Sequence, residues 1–181
     1  MLATILRSCG RTARQSSAAN MPRHSETRQL PYSPEQMFDL VADVARYGEF
    51  LPWVAAVRVR SNSATEMVAD LIVGFKALRE RFTSRVVKQR PDHIHVDYLE
   101  GPLKHLSNDW KFRPDGQGGT LVDFCVDFAF RNRLFEALAG QMFDTALRRM
   151  INAFEERANQ LYGAGASAAS GISSSSAHSA A

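Results

Sequence analysis

The residues in this chain best suited to chemistry sit in one short stretch, His93-Ile94-His95-Val96-Asp97. In a strand, alternation puts His93, His95 and Asp97 on one face and Ile94, Val96 and Tyr98 on the other. Two imidazoles and a carboxylate make a donor set that zinc or iron accepts. The apolar side has to point inward, however, so the polar trio is expected to face solvent and to hold no metal. His105 stands alone in GPLKHLSNDW and reads as an ordinary polar contact. Glu80 and Glu100 could serve as general acid or base if turned inward. Arg79 and Arg81 flank Glu80, and ion pairing with them is its expected role. The chain carries no G-x-S-x-G, no phosphate-binding loop and no G-x-G-x-x-G. Residues 116–119, GQGG, have no lysine or helix start behind them and read as a hairpin turn. No catalytic residue is expected, and no cofactor in a catalytic sense.

Two other sets stand out. Arg79, Arg81, Arg85, Lys88 and Arg90 form the dense positive run of the chain, and Arg79, Arg81 and Arg85 share strand parity. Such a stripe is either a solvated sheet face or a contact for anionic lipid headgroups or ribosomal RNA. The aromatics Trp53, Phe75, Phe82, Trp110, Phe112, Phe124, Phe128, Phe130, Phe135 and Phe143 exceed what sealing one sheet against one helix requires. Each alone reads as core; together they suggest an apolar cavity. The segment 47–54, YGEFLPWV, adds Tyr47 and Phe50 and is interrupted by Gly48 and Pro52. It is expected to be neither regular helix nor strand, and either to plug the core or to border that cavity.

Composition narrows the class of protein that uses these residues. A chain of 181 residues suggests one domain, and 45% hydrophobic content suffices for a true core. The longest apolar run, 67–75, contains Asp70 and is far shorter than the ~18 residues a membrane span needs. The net charge is +3, from 22 basic and 19 acidic residues. Arg7, Arg11 and Arg14 fall in the acid-free first twenty residues, and 164–181 carries no Asp, Glu, Lys or Arg, so the centre is neutral. A neutral domain has no broad footprint for a phosphate backbone, which disfavours DNA as a partner. Two cysteines, Cys9 and Cys125, make neither a disulfide framework nor a cysteine zinc site, and fit a reducing compartment.

The elements that must position these residues follow from periodicity. Residues 1–22 are expected to be a disordered leader or an over-extended start: the first twenty, rich in Arg and Ser and free of acids, have the composition of a mitochondrial transit peptide, or else Met21 is the true first residue. Residues 164–181, rich in Ala and Ser, are expected to be a disordered tail. Between them, 23–163 is expected to be one organised domain. HSETRQL reads as a strand. SPEQMFDLVADV reads as a helix capped by Ser33, with Pro34 at its first position and Gln36 completing a capping box. Strands are expected at 54–60, 65–75, 78–90, 93–99, 109–113 and 120–130, separated by Gly-, Pro-, Asn- and Asp-bearing turns. In the last, Val122, Phe124, Val126, Phe128 and Phe130 alternate with smaller or polar residues. From about 131 to 162 the period becomes helical, and Gly163 is the expected stop. Short turns impose antiparallel pairing. The expected fold is α+β, a curved antiparallel sheet around a long C-terminal helix with a hydrophobic wedge between them.

Four blocks carry a family resemblance: LPYSPEQMFDLVADVARYGEFLPWV, VGFKALRERFTSRV, GPLKHLSNDWKF and VDFCVDFAFRNRLFEAL. In content, order and spacing they resemble the coenzyme Q-binding branch of the START / polyketide cyclase-like superfamily, across the organised region. The resemblance implies the helix-grip fold and a non-catalytic ubiquinone carrier or chaperone that supports respiratory electron transport and ubiquinone biosynthesis. It implies cavity residues Phe50, Pro52 and Trp53 from the first block, Phe75 and Phe82 from the second, and Leu103 and Trp110 from the third. Phe124, Phe128 and Phe130 come from the fourth, with Met142 and Phe143 on the helix that follows. Arg79, Arg81 and Arg85 become candidates for contact with a membrane surface. The expected location is the bacterial cytoplasm beside the inner membrane, or the matrix face of the mitochondrial inner membrane if residues 1–20 are a transit peptide. The same blocks resemble RatA-type bacterial proteins, whose implied partner is the ribosome, whose subunits they keep apart. Superfamily membership also leaves a polyketide cyclase-like enzyme as an alternative.

Overall fold

The computed structural model describes residues 23–75, 78–131 and 133–163, and side chains among these except at 75, 78, 130 and 133–144. The leader at 1–22 and the tail at 164–181 lie outside the described residues. Seven strands form one antiparallel sheet: β1 (Arg23–Leu30), β2 (Val54–Asn62), β3 (Glu66–Phe75), β4 (Leu78–Gln89), β5 (His93–Glu100), β6 (Leu103–Pro114) and β7 (Thr120–Phe130). Their spatial order is β1-β7-β6-β5-β4-β3-β2, so β2 to β7 meander and β1 closes the far edge against β7. Helix α1 (Pro34–Ala42), a 3-10 turn at Val44–Arg46 and the short helix α2 (Tyr47–Phe50) connect β1 to β2. Helix α3 (Arg133–Tyr162) follows β7.

Local chemistry explains these boundaries. The Gln36 amide donates to the Ser33 hydroxyl while the Gln36 side chain accepts from the Ser33 N–H, which satisfies two otherwise orphaned donors. The β6–β7 turn is built on Asp115, whose carboxylate accepts from Gln117 and Gly119 N–H at 2.7 and 2.9 Å. The Gly163 N–H returns to the Asn159 carbonyl and ends α3. Gly101 turns β5 into β6 at φ 139°, where a Cβ would lie 2.8 Å from the Arg81 carbonyl; only glycine fits.

Two expectations change. The chain does not stop being helical at Gly48: α2 runs through it, with Leu51 N–H bonded to the Tyr47 carbonyl. Strand β6 begins at Leu103 rather than Asp109, and a bulge between Leu103 and His105 resets its alternation.

Helix α3 lays Leu147, Ile151, Phe154 and Ala158, spaced by four, three and four, against one face of the sheet. There they meet Trp110, Val122, Phe124, Val126 and Phe128, while Met37, Phe38, Leu40 and Val41 of α1 cover the end near Phe112. The opposite face is polar, yet Asp70 and its cross-strand partner Thr83 are buried in it. Asp70 is 5% exposed and receives Arg60 Nη2 at 2.8 Å and the Thr83 hydroxyl at 2.7 Å. Those two partners hold its carboxyl below the usual range, against the effect of burial. A depressed carboxylate stabilises the fold above its unfolded pKa of about 4 and loses that contribution as pH falls through the lower folded value. Asp70→Asn is therefore expected to cost about 1–3 kcal/mol at neutral pH and to flatten the acid limb of a thermal-midpoint profile. An unchanged limb would show that Asp70 is not a significant titrating contributor.

Candidate ligand-binding face

Register and alternation define the concave face strand by strand. Leu71 pairs with Phe82, Val73 with Glu80 and Ala69 with Ser84. Ser84 pairs with Tyr98 and Val86 with Val96. Asn108 lies between Val96 and Val126, Trp110 between Ile94 and Phe124, and Leu103 opposite Phe130. The bulge at Lys104 returns Leu103 to this face.

The face has a sealed half and an open half. In the sealed half the Trp110 ring stands 4.5 Å from Phe124 and 5.3 Å from Phe154. Phe154 also packs edge-on to Tyr47 and Phe50 at 5.4 and 5.2 Å. The Tyr47 hydroxyl donates to the Val41 carbonyl, and burial pushes its pKa well up. Arg157 lies over the Phe50 ring at 5.6 Å and pairs with Glu49 at 2.8 Å. Tyr47 and Phe50 thus plug the core. A cleft beside them of about 170 Å³, lined by Asp39, Asp43, Arg46 and Arg157 among others, is smaller and more polar than a site for a prenylated ring requires.

In the open half, Val73, Phe82, Tyr98 and Leu103 point inward and are only half-buried, and among the described residues they lie outside the packed cluster. Three polar groups lie in this part of the concave face. Ser84 is 2% exposed and its hydroxyl has no hydrogen-bond partner among the described residues, and the Asn108 Oδ1 is buried in the same condition. An orphaned buried polar atom costs roughly 1–3 kcal/mol, so these two mark places where a bound molecule would supply what the fold does not. The third is Glu80. Adjacent strand residues point to opposite faces, so Glu80 turns inward while Arg79 and Arg81 turn outward, and among the described residues it forms no ion pair with either. That corrects the expectation of a local ion pair.

The remaining expected site residues fall as follows. Trp110, Phe124 and Phe128 are in the sealed core. Phe82 and Leu103 belong to the open half. Trp53 is half-buried and Pro52 exposed, in the turn before β2, with Gly74 N–H bonded to the Trp53 carbonyl. The side chains of Phe75, Phe130, Met142 and Phe143 lie outside the described residues. Arg79, Arg81 and Arg85 form an exposed stripe on the convex face, joined by Arg58 and Arg60 of β2. Ser84 and Asn108 were not among the expected residues; a lone polar residue at an inward parity is their only signature in the sequence.

The convex face of β5–β7 is acidic and histidine-bearing. His93, His95 and Asp97 share it but are not simply solvated. His93 Nε2 and His95 Nδ1 both meet Asp109 Oδ1, at 2.8 and 2.9 Å. His95 Nε2 meets Asp97 Oδ1 at 2.9 Å, and Arg85 donates to Asp97 Oδ2 at 2.8 Å. Burial lowers the His95 pKa, but the two carboxylates outweigh it and leave the imidazole above its ordinary value.

A curved antiparallel sheet that grips one long C-terminal helix, with an apolar face between them, defines the helix-grip class of START-like domains. A START superfamily protein from Mycobacterium smegmatis has this fold at 19% identity, covering 77% of this chain and 98% of that one, with a TM-score of 0.63. The chain belongs to the polyketide cyclase / dehydrase and lipid transport family, matched over residues 30–155. The ribosome association toxin RatA of Rickettsia prowazekii is 36% identical over 75% of this chain and 94% of its own length. The mitochondrial coenzyme Q-binding protein COQ10 homolog B of Xenopus laevis is 37% identical over 77% of this chain, which spans 59% of that protein. The 18 kDa protein CC1736 of Caulobacter crescentus, known from its solution structure, is 42% identical over 80% of this chain and 100% of its own, with a TM-score of 0.65.

Proposed function

We propose that this chain is a non-catalytic carrier for a ubiquinone-type isoprenoid quinone, which supports respiratory electron transport and quinone biosynthesis. The observation that carries this reading is the open half of the concave face: half-buried Val73, Phe82, Tyr98 and Leu103 beside the unpartnered Ser84 hydroxyl and Asn108 Oδ1. Each isoprenoid CH₂ removed from water contributes ~0.8 kcal/mol, so an apolar surface alone supplies affinity for the tail. The head group needs few polar partners. Ser84 can donate to a quinone oxygen, and Asn108 Oδ1 can accept from a hydroxyl of the reduced quinol. One strand, β5, lies between the strands that carry them, so those strands are two spacings apart, roughly 10 Å. The family's lipid-transport description and the coenzyme Q-binding relative support the same reading.

Such a carrier works beside the inner membrane, from the bacterial cytoplasm or the mitochondrial matrix. Among the described residues no helix is long and apolar enough to cross a membrane. Organic extraction of the purified protein followed by mass spectrometry is expected to release a quinone in near-stoichiometric amount, and Glu80→Gln is expected to retain it and to complement a deletion. Absence of quinone, with unchanged respiration on deletion, would overturn the carrier; loss of complementation by Glu80→Gln with the lipid still bound would favour a cyclase-like enzyme.

A second reading is a RatA-type inhibitor of ribosomal subunit association. Its support is the exposed convex stripe of Arg58, Arg60, Arg79, Arg81 and Arg85 together with the relatives of that name. Overexpression would then shift ribosome profiles toward free subunits, and an unshifted profile would reject it.

A further inference from the structure

The convex side of the sheet, opposite the lipid face, carries a second arrangement that the quinone reading does not use. His93 Nε2, His95 Nδ1 and Asp109 Oδ1 lie within 4.8 Å of one another. His95 and Asp109 are direct cross-strand partners, and His93 sits two residues along β5 on the same face. Three donors therefore project from two hydrogen-bonded strands, a rigid base that fixes their separation. We propose that His93, His95 and Asp109 form a binding site for a zinc-like divalent transition-metal ion.

Four features support it. The donors are two imidazoles and one carboxylate, the set that zinc, cobalt and nickel favour and that magnesium does not. Both imidazole nitrogens already converge on a single carboxylate oxygen, at 2.8 and 2.9 Å, so a cation can replace the protons that bridge them with small side-chain movements. The other nitrogen of His95 meets Asp97, itself tied to Arg85 at 2.8 Å, which is the carboxylate–histidine arrangement that orients a metal-bound imidazole. Finally, His93, His95 and Asp109 are partly exposed, with side chains 27%, 30% and 24% accessible, so an ion can enter and solvent can complete its coordination. The ion takes the place of the His95 Nδ1 proton, which passes to solvent, while Nε2–H of His95 stays bonded to Asp97. The expectation from sequence that this histidine pair holds no metal lacked Asp109, which stands fourteen residues away from His95 and reaches it only through the register of β5 and β6.

The full chain, stripped with a chelator and dialysed, should be titrated with ZnCl₂ by calorimetry and with CoCl₂ by visible absorption. One ion per chain is expected, with cobalt ligand-field bands and a raised thermal midpoint, and no response to MgCl₂. His93→Ala and His95→Ala should abolish stoichiometric uptake, and Asp97→Asn should weaken it about 10–100-fold. His105→Ala, on the same face but beside Asp127 at 3.8 Å, should leave it unchanged. Circular dichroism checks the fold of each variant; should an alanine variant unfold, His95→Gln and Asp109→Asn carry the same test. No stoichiometric uptake by the wild-type chain, or uptake that survives the combined loss of His93 and His95, overturns the site.

Discussion

Trp110→Ala is expected to lower the unfolding free energy by about 3–5 kcal/mol. The ring is 8% exposed and bridges two layers, touching Phe124 of β7 at 4.5 Å and Phe154 of α3 at 5.3 Å. Through Phe154 it is joined to Tyr47 and Phe50, so one indole supports both the helix–sheet contact and the plug. Truncation removes the transfer free energy of the ring and leaves a cavity that the paired strands around it cannot collapse. It also removes two aromatic pairs, each contributing about 0.5–1.5 kcal/mol beyond burial. Urea denaturation followed by circular dichroism measures the loss. A change below about 1 kcal/mol would mean that the helix–sheet interface closes without the indole.

Phe82→Glu is expected to do the reverse: to spare the fold and to empty it. Phe82 faces the concave side opposite Leu71 but is half-buried and outside the packed cluster, so its replacement is expected to shift the denaturation midpoint little. A carboxylate at that position confronts an apolar tail with a charge whose burial costs far more than a few methylenes contribute. Quinone recovered by extraction should fall at least tenfold, whereas Phe82→Leu should keep it. Wild-type lipid content in Phe82→Glu would move the site away from the open half. The two variants separate what holds the domain together from what the domain holds.

Much of this was legible from periodicity. Seven strands, the capping box at Ser33, the limits of β7 and the helical stripe of α3 each arise from local pattern, and local pattern is what a sequence displays. The failures have identifiable causes. Helix α2 survives Gly48 because glycine costs only ~1 kcal/mol in a helix and the contacts of Tyr47 and Phe50 with Phe154 outweigh that. Strand β6 was hidden in its first half because Leu103 and Leu106 are three apart, a spacing that alternation cannot produce without the bulge at Lys104. Asp109 could not be joined to His93 and His95, because pairing register is invisible until two strands are aligned. The same blindness hid Ser84 and Asn108. Each is an isolated polar residue among many, and only the shared face reveals that both look inward.

The placement of β1 has a consequence for how the chain comes together. Strands β2 to β7 are joined to their neighbours by short turns and can zip as they leave the ribosome, but β1 emerges first and finds its partner last. Thr27 bonds Asp123 across 96 positions of sequence, and every rung from Arg23 to Leu30 is similarly long-range. Loop-closure entropy opposes such pairing until the intervening meander has brought β7 into place. Until then β7 presents a bare edge, open to strands of other chains. The first strand of this sheet is thus the last to be fastened; it covers the edge of β7 and becomes, with β2, one of the sheet's two outer strands.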